Sequence, residues 1–149
     1  MTVRTLNVFI DTCKAAGLHV TYQRMAIFKS LQVYKHHPTA EEIYRKIKKE
    51  HPTISLATVY KTLEILAHHN LISRVTHLHD AARYDGNADF HHHLVCVECK
   101  KIVDVYNSKL DTLKLPENIL FGFKILHHRV HFDGICRQCQ TSKKNKPKK

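Results

Sequence analysis

No run of about 18 apolar residues occurs anywhere in this 149-residue chain, so no segment is long enough to cross a bilayer as a helix. The opening stretch, Met1 to Phe9, has one arginine and no apolar run leading to a small-residue cleavage site, so it lacks the layout of a secretory leader. These absences set the expectation of a cytoplasmic protein with no membrane partner, in a compartment where thiols stay reduced. No internal repeat is evident, which argues against a repeat architecture. Acidic residues are also scarce, with 13 Asp and Glu against 24 Lys and Arg, leaving a formal net charge of +11. Such a surplus points to a polyanion, nucleic acid foremost, with a merely basic surface as the plain alternative.

The chain has 43% hydrophobic residues, enough for one ordinary domain or two small ones. Each half alone has a marginal core and needs a staple or a partner. In a reducing compartment, the five cysteines favour metal ligation over a disulfide framework.

Four helical segments are expected in the first half. Leu6, Phe9, Ile10 and Cys13 recur at helical spacing, and Gly17 supplies a C-terminal stop. Thr21 can cap a second helix carrying Met25, Ile27, Phe28 and Leu31. Thr39 and Glu42 form a capping box for a third, expected to run to about Lys49 before the break at Pro52. Ser55 opens a fourth, on which Leu56, Val59, Leu63 and Leu66 form one buried stripe and Thr58, Lys61, Thr62 and part of Tyr60 lie on other faces. Extended runs near 71–78 and 82–84 complete the pattern of a winged helix-turn-helix unit.

The turn-rich Asp85 to Asp89 reads as a hinge. The chain therefore divides into a DNA-binding domain at 1–84, a hinge at 85–89, a metal-binding domain at 90–141 and a basic, disordered tail at 142–149. In the second domain we expect strands over 93–97, 101–106 and 123–132, and a helix over 110–120 that Pro116 leaves short or broken. The fold class is α+β, with a winged helix-turn-helix followed by a small α/β domain.

Cys96-x-x-Cys99 and Cys136-x-x-Cys139 supply four thiolates, a complete tetrahedral set for a structural Zn²⁺. The alternative is scattered structural cysteines or a redox dithiol. Cys13, on the apolar stripe of the first helix, reads as a buried core thiol. Among the 14 histidines, His91-His92-His93 lies just before the first CxxC pair. On a strand, His91 and His93 share one face and His92 takes the other. With Asp85 upstream and Asp104 on the neighbouring strand they form a mixed N/O donor set suited to Fe²⁺, Mn²⁺ or Zn²⁺. Surface histidines are the plain alternative.

From Ala16-Gly17 through Cys139 the chain resembles the ferric uptake regulator family, and most of all its peroxide-sensing repressors. The resemblance is carried by Val20-Thr21-Tyr22-Gln23-Arg24, His37-Pro38-Thr39-Ala40, Ala57-Thr58-Val59-Tyr60, Arg83-Tyr84-Asp85, His91-His92-His93 and the four cysteines. It implies a metal-dependent repressor that acts as a homodimer on a palindromic double-stranded operator. It further implies one structural Zn²⁺ per subunit on Cys96, Cys99, Cys136 and Cys139. One regulatory Fe²⁺ or Mn²⁺ per subunit would be held by His37, Asp85, His91, His93 and Asp104. Iron-sensing members usually carry Glu where this chain has Asp104, so the resemblance favours hydrogen peroxide as the signal, with His37 or His91 oxidised.

A further site of iron-type members is partly present in His92, Asp111 and His128, but Phe90 stands at its fourth position. Pro116 also departs from the family pattern. For DNA, the resemblance assigns Tyr60 and Lys61 to bases or phosphates, with Ser55 and Thr58 beside them. It puts His19 near a minor-groove position and leaves Arg24 as a phosphate contact or an internal strut. The rival functions are a sensor of iron or zinc concentration alone, a small metallohydrolase, and a zinc-ribbon interaction module.

Overall fold

The computed structural model describes residues 6–34, 36–75, 81–87 and 89–144. Its first helix, α1 (Leu6–Ala15), stops at Gly17, whose φ of +66° lies in the left-handed region that glycine enters without steric cost. Hydroxyl residues begin the next three helices. Thr21 caps α2 (Tyr22–Val33), its side chain accepting from the Arg24 amide at 3.2 Å. Thr39 caps α3 (Ala40–Ile47) through a reciprocal box, in which its Oγ1 accepts from the Glu42 amide and the Glu42 carboxylate accepts from the Thr39 amide at 2.7 Å. Ser55 caps α4 (Leu56–His68) through the Thr58 amide. The third helix ends two residues short of Lys49, with Lys48 as its C-cap.

These helices enclose a core of Phe9, Cys13, Phe28, Leu31, Ile43, Ile54, Leu63, Leu66 and Leu71, with Phe9 stacked on Phe28 at 4.4 Å between ring centroids. The stripe on α4 is Val59, Leu63 and Leu66, with Leu56 half-buried. Thr62, expected on another face, is buried instead, because α4 packs against both α2 and α3. The wing is an antiparallel pair, β1 (Ser73–Val75) and β2 (Arg83–Asp85), with Ser73 opposite Asp85. The expected first strand extended to residue 78, and residues 76–78 lie outside the described ones. Asp85, which the sequence assigns to the hinge, is the last residue of β2. Just after it, the Gly86 carbonyl accepts from Gln32 Nε2 at 2.8 Å. A Cβ at Gly86 would sit 2.9 Å from that nitrogen and 3.2 Å from Leu31 Cγ, so a side chain there would push Gln32 aside.

The chain forms two compact units, Met1–Asp89 and Phe90–Lys149. The second is built on a sheet of β3 (His92–Cys96), β4 (Ile102–Val105) and β5 (His131–Gly134), ordered β4-β3-β5. β3 pairs antiparallel with β4 and parallel with β5. The short or broken helix expected over 110–120 is α5 (Ser108–Asp111), followed after Pro116 by one 3-10 turn, Glu117–Ile119. The long strand expected over 123–132 is corrected. Residues 123–130 form no strand, and Phe123, Ile125 and Leu126 are exposed, so their hydrophobicity marks a surface, not the face of a sheet. The sequence also missed α6 (Arg137–Lys144), which takes up residues 142–144 of the expected tail. The rest of that tail, 145–149, lies outside the described residues. No helix among the described residues is long and apolar enough to cross a membrane.

Candidate metal and DNA sites

The four expected cysteines come together in the second unit, with every Sγ within 4.8 Å of the others. Cys96 ends β3, and Cys99 follows in the turn to β4. That turn is closed by the Lys100 amide donating to the Cys96 carbonyl at 2.9 Å, with Lys100 at φ +61°. Cys136 follows β5 and Cys139 lies in the first turns of α6. The Cys136 amide donates to Cys96 Sγ at 3.3 Å, and the Cys99 and Cys136 sulfurs are 3.7 Å apart.

This crowding splits the thiol acidities. Amide donors, that of Cys136 foremost and then that of Cys99, pull Cys96 down to about 6. The neighbouring sulfurs, Cys136 first, push Cys139 up to about 12. Four thiolates this close cannot all hold charge unless a cation sits among them, and that is the donor set tetrahedral Zn²⁺ takes. The fifth cysteine, Cys13, is fully buried and its thiol is pushed up by that burial, as befits a core residue.

The mixed N/O donors assemble as two partial sets, one in each unit. In the first, the Tyr84 amide donates to the Pro38 carbonyl at 2.9 Å and Thr39 bridges to Arg83, which ties the segment before α3 to β2. This brings His37 Nε2 to 3.8 Å from Asp85 Oδ2, both residues being buried. Arg83 clamps the arrangement: its Nη1 donates to the His37 carbonyl at 2.8 Å and lies 3.7 Å from Glu42 Oε2. Sequence reasoning missed this role for Arg83, whose only signal was its place beside Tyr84-Asp85.

In the second unit, His91 and His93 share a face as strand alternation requires, their Nε2 atoms 3.0 Å apart. Asp104 is the register partner of His93 on β4, and its Oδ1 lies 3.7 Å from His91 Nε2. Two imidazoles and a carboxylate converging in this way suit Fe²⁺, Mn²⁺ or Zn²⁺.

His92, Asp111 and His128 also meet, but as a hydrogen-bonded group. The Val130 amide donates to His92 Nδ1 at 3.1 Å, so His92 Nε2 carries the proton and donates to Asp111 Oδ1 at 3.1 Å. His128 Nε2 donates to the Leu110 carbonyl at 2.7 Å. Phe90 packs edge-on against both rings. His92 is fully buried, so the surface alternative does not apply to it.

On α4, Ala57, Lys61, Glu64 and His68 form the exposed stripe of the helix. The Ser55 and Thr58 hydroxyls pair at 2.8 Å at its start. A groove of about 330 Å³ runs beside the stripe, lined by Thr21, Gln23 and Arg24 from the start of α2 and by Thr58, Lys61 and Thr62 from α4. Gln23 is exposed there and went unremarked as a site residue, although it stands inside the Tyr22-Gln23-Arg24 motif. Arg24 Nη1 donates to the His19 carbonyl at 2.5 Å, so the strut reading of Arg24 has a partner. His19 is itself exposed. The Tyr60 hydroxyl donates to the Glu41 carboxylate on α3.

Residues 15–133 match the model of the ferric uptake regulator family. The peroxide-responsive repressor PerR of Staphylococcus aureus (strain Mu50) is 34% identical over 135 residues, covering 91% of each chain. Among solved structures, the Campylobacter jejuni peroxide stress regulator superposes with a TM-score of 0.65 at 31% identity, covering 91% of this chain and 99% of that one. The ferric uptake regulator Fur of Helicobacter pylori reaches a TM-score of 0.74 at 24% identity, covering 94% and 97%, a likeness of fold. The chain belongs to the ferric uptake regulator family of metal-dependent transcription regulators.

Proposed function

We propose that this protein is a cytoplasmic, homodimeric repressor that binds a palindromic operator when metallated and releases it after peroxide oxidises a histidine. The observation that carries this reading is the division of the donors. His37 and Asp85 approach each other within the DNA-binding unit, and His91, His93 and Asp104 within the other. An ion claiming donors from both units restricts their relative motion, and in a two-fold dimer it thereby sets the spacing of two recognition helices against two half-sites. Moving such an equilibrium from 1:99 to 99:1 takes about 5.5 kcal/mol of differential binding, a scale that a few metal–ligand bonds can supply. Zn²⁺ on the four cysteines would fasten the second unit, while Fe²⁺ or Mn²⁺ on the five N/O donors would regulate.

Three features support peroxide as the signal: Asp104 in place of Glu, the 34% identical peroxide-responsive repressor and the 31% identical peroxide stress regulator. When bound, Fe²⁺ supplies one-electron reduction of H₂O₂ beside its own ligands. In the net reaction one peroxide oxygen enters an imidazole C–H bond of His37 or His91 and the other leaves as water. An oxidised ring is a poorer ligand, and the two units then uncouple. With Mn²⁺ on the same donors, the protein would repress without this sensitivity.

The test is operator binding with Fe²⁺ and with Mn²⁺, each before and after peroxide, alongside mass spectrometry of the His37 and His91 peptides. The expected result is a gain of about 16 Da, one oxygen, with iron alone. Iron-loaded protein that keeps both its peptide masses and its DNA after peroxide would leave the concentration-sensing reading in place.

A further inference from the structure

We propose that Glu41 is a positioning residue for operator recognition, holding the Tyr60 hydroxyl inward so that the edge of the Tyr60 ring is what meets the bases. The inference rests on the DNA-binding function proposed above and deepens it.

Tyr60 lies three residues after Ala57 and so borders the exposed stripe of α4 on the side that faces α3. Its ring is half-buried against the core. Its hydroxyl donates to Glu41, which stands in the first turn of α3. The bond leaves its mark on both partners, since hydrogen bonding holds the Glu41 carboxyl below its ordinary range and the Tyr60 phenol above its own. The opposite flank of the stripe is the cationic groove with Lys61 and Arg24.

A carboxylate beside a phosphate-binding face repels DNA, so on electrostatic grounds alone Glu41 is a liability. Its compensating effect is geometric. With the hydroxyl engaged, Tyr60 cannot swing out to bond phosphates without regard to sequence, and its apolar ring is left for base edges such as the thymine methyl. Glu41 also lies only two residues after the cap Thr39 and four after His37. The short stretch from His37 to Glu41 thus holds both a proposed metal ligand and the residue that sets a recognition side chain.

The full-length, Mn²⁺-loaded wild type is first used to enrich a duplex from a random-sequence pool. Affinities for that duplex and for a scrambled one are then measured for wild type, Glu41→Ala, Glu41→Gln, Tyr60→Phe and the double variant Glu41→Ala/Tyr60→Phe. Glu41→Ala should lower the ratio of specific to scrambled binding about tenfold, the scale of a hydrogen bond to a charged group. Its scrambled binding should hold or rise. Glu41→Gln, which keeps an acceptor oxygen, should stay near wild type, and the double variant should be no worse than Glu41→Ala.

The inference is overturned if Glu41→Ala keeps the ratio, or if Tyr60→Phe costs as much in the Glu41→Ala background as in wild type. Should Glu41→Ala fail to fold, Glu41→Asp, one methylene shorter, carries the same expectation. If the wild type enriches no duplex, the functional reading fails and this inference falls with it.

Discussion

The two units hold themselves together by different means. The first buries its apolar residues: Phe9, Ile27, Ile43, Val59, Leu63, Leu66 and Leu71 are all fully covered. In the second, the buried apolar residues among those described are Val95, Cys96 and Ile102. Much of its remaining hydrophobic content faces outward, with Phe121 86% and Leu126 80% exposed. Exposed apolar surface on that scale marks an interface. A small unit with so little core needs a cross-link, a partner, or both, and the four-sulfur cluster is the cross-link. The first unit is therefore stabilised from within, whereas the second, we propose, depends on a metal held by its four cysteines and on a second copy of itself.

Removing the cross-link should have the largest effect. Structural Zn²⁺ bound by thiolates contributes roughly 10–16 kcal/mol of apparent binding free energy in small domains. Chelation, or Cys136→Ser, should abolish amide-exchange protection in β3, β4 and β5 while α2, α3 and α4 keep theirs. Loss of protection in both units together would break the comparison.

Core substitutions come next. Leu63→Ala or Leu66→Ala should destabilise the first unit by about 2–5 kcal/mol, measured by denaturant melts. Phe121→Ser should change protomer stability by less than about 0.5 kcal/mol, as for a surface position. It should nevertheless weaken self-association in sedimentation equilibrium. If it destabilised the protomer as much as Leu66→Ala, its exposure would have been misread.

Two smaller effects belong to the caps and contacts of the first unit. Thr39→Ala removes half of the capping box and should cost about 1 kcal/mol. Glu41 has its carboxyl lowered chiefly by the Tyr60 hydrogen bond. A depressed folded-state pKa means that its contribution is present above the ordinary carboxylate range and is lost as pH falls through and below it. The stability gap between wild type and Glu41→Gln should therefore shrink with acidification, readable from paired thermal melts at stepped pH.

Local chemistry was legible in the chain before any fold was known. Caps at Thr21, Thr39 and Ser55 act over three residues, the stop at Gly17 over one, and strand alternation pairs His91 with His93 over two. Each of these interactions is complete within a few residues, so spacing alone determines it. The paired CxxC motifs are legible for another reason: four soft donors in two close pairs have few other uses.

What only the tertiary structure decided is the content of non-local contacts. The apolar residues at 123–126 resembled a strand, because periodicity cannot tell a surface awaiting cover from a sheet face. The parallel pairing of β3 with β5 spans more than thirty residues, and no local signal encodes it. The hydrogen bond to His92 Nδ1 comes from the Val130 amide, the clamp on His37 from Arg83, and the pose of Tyr60 from Glu41. The sequence by itself determined which residue types were available for metal and DNA. Packing decided which of them meet and which bond a distant neighbour, because hydrogen bonds between distant segments form only once the backbone has brought those segments together.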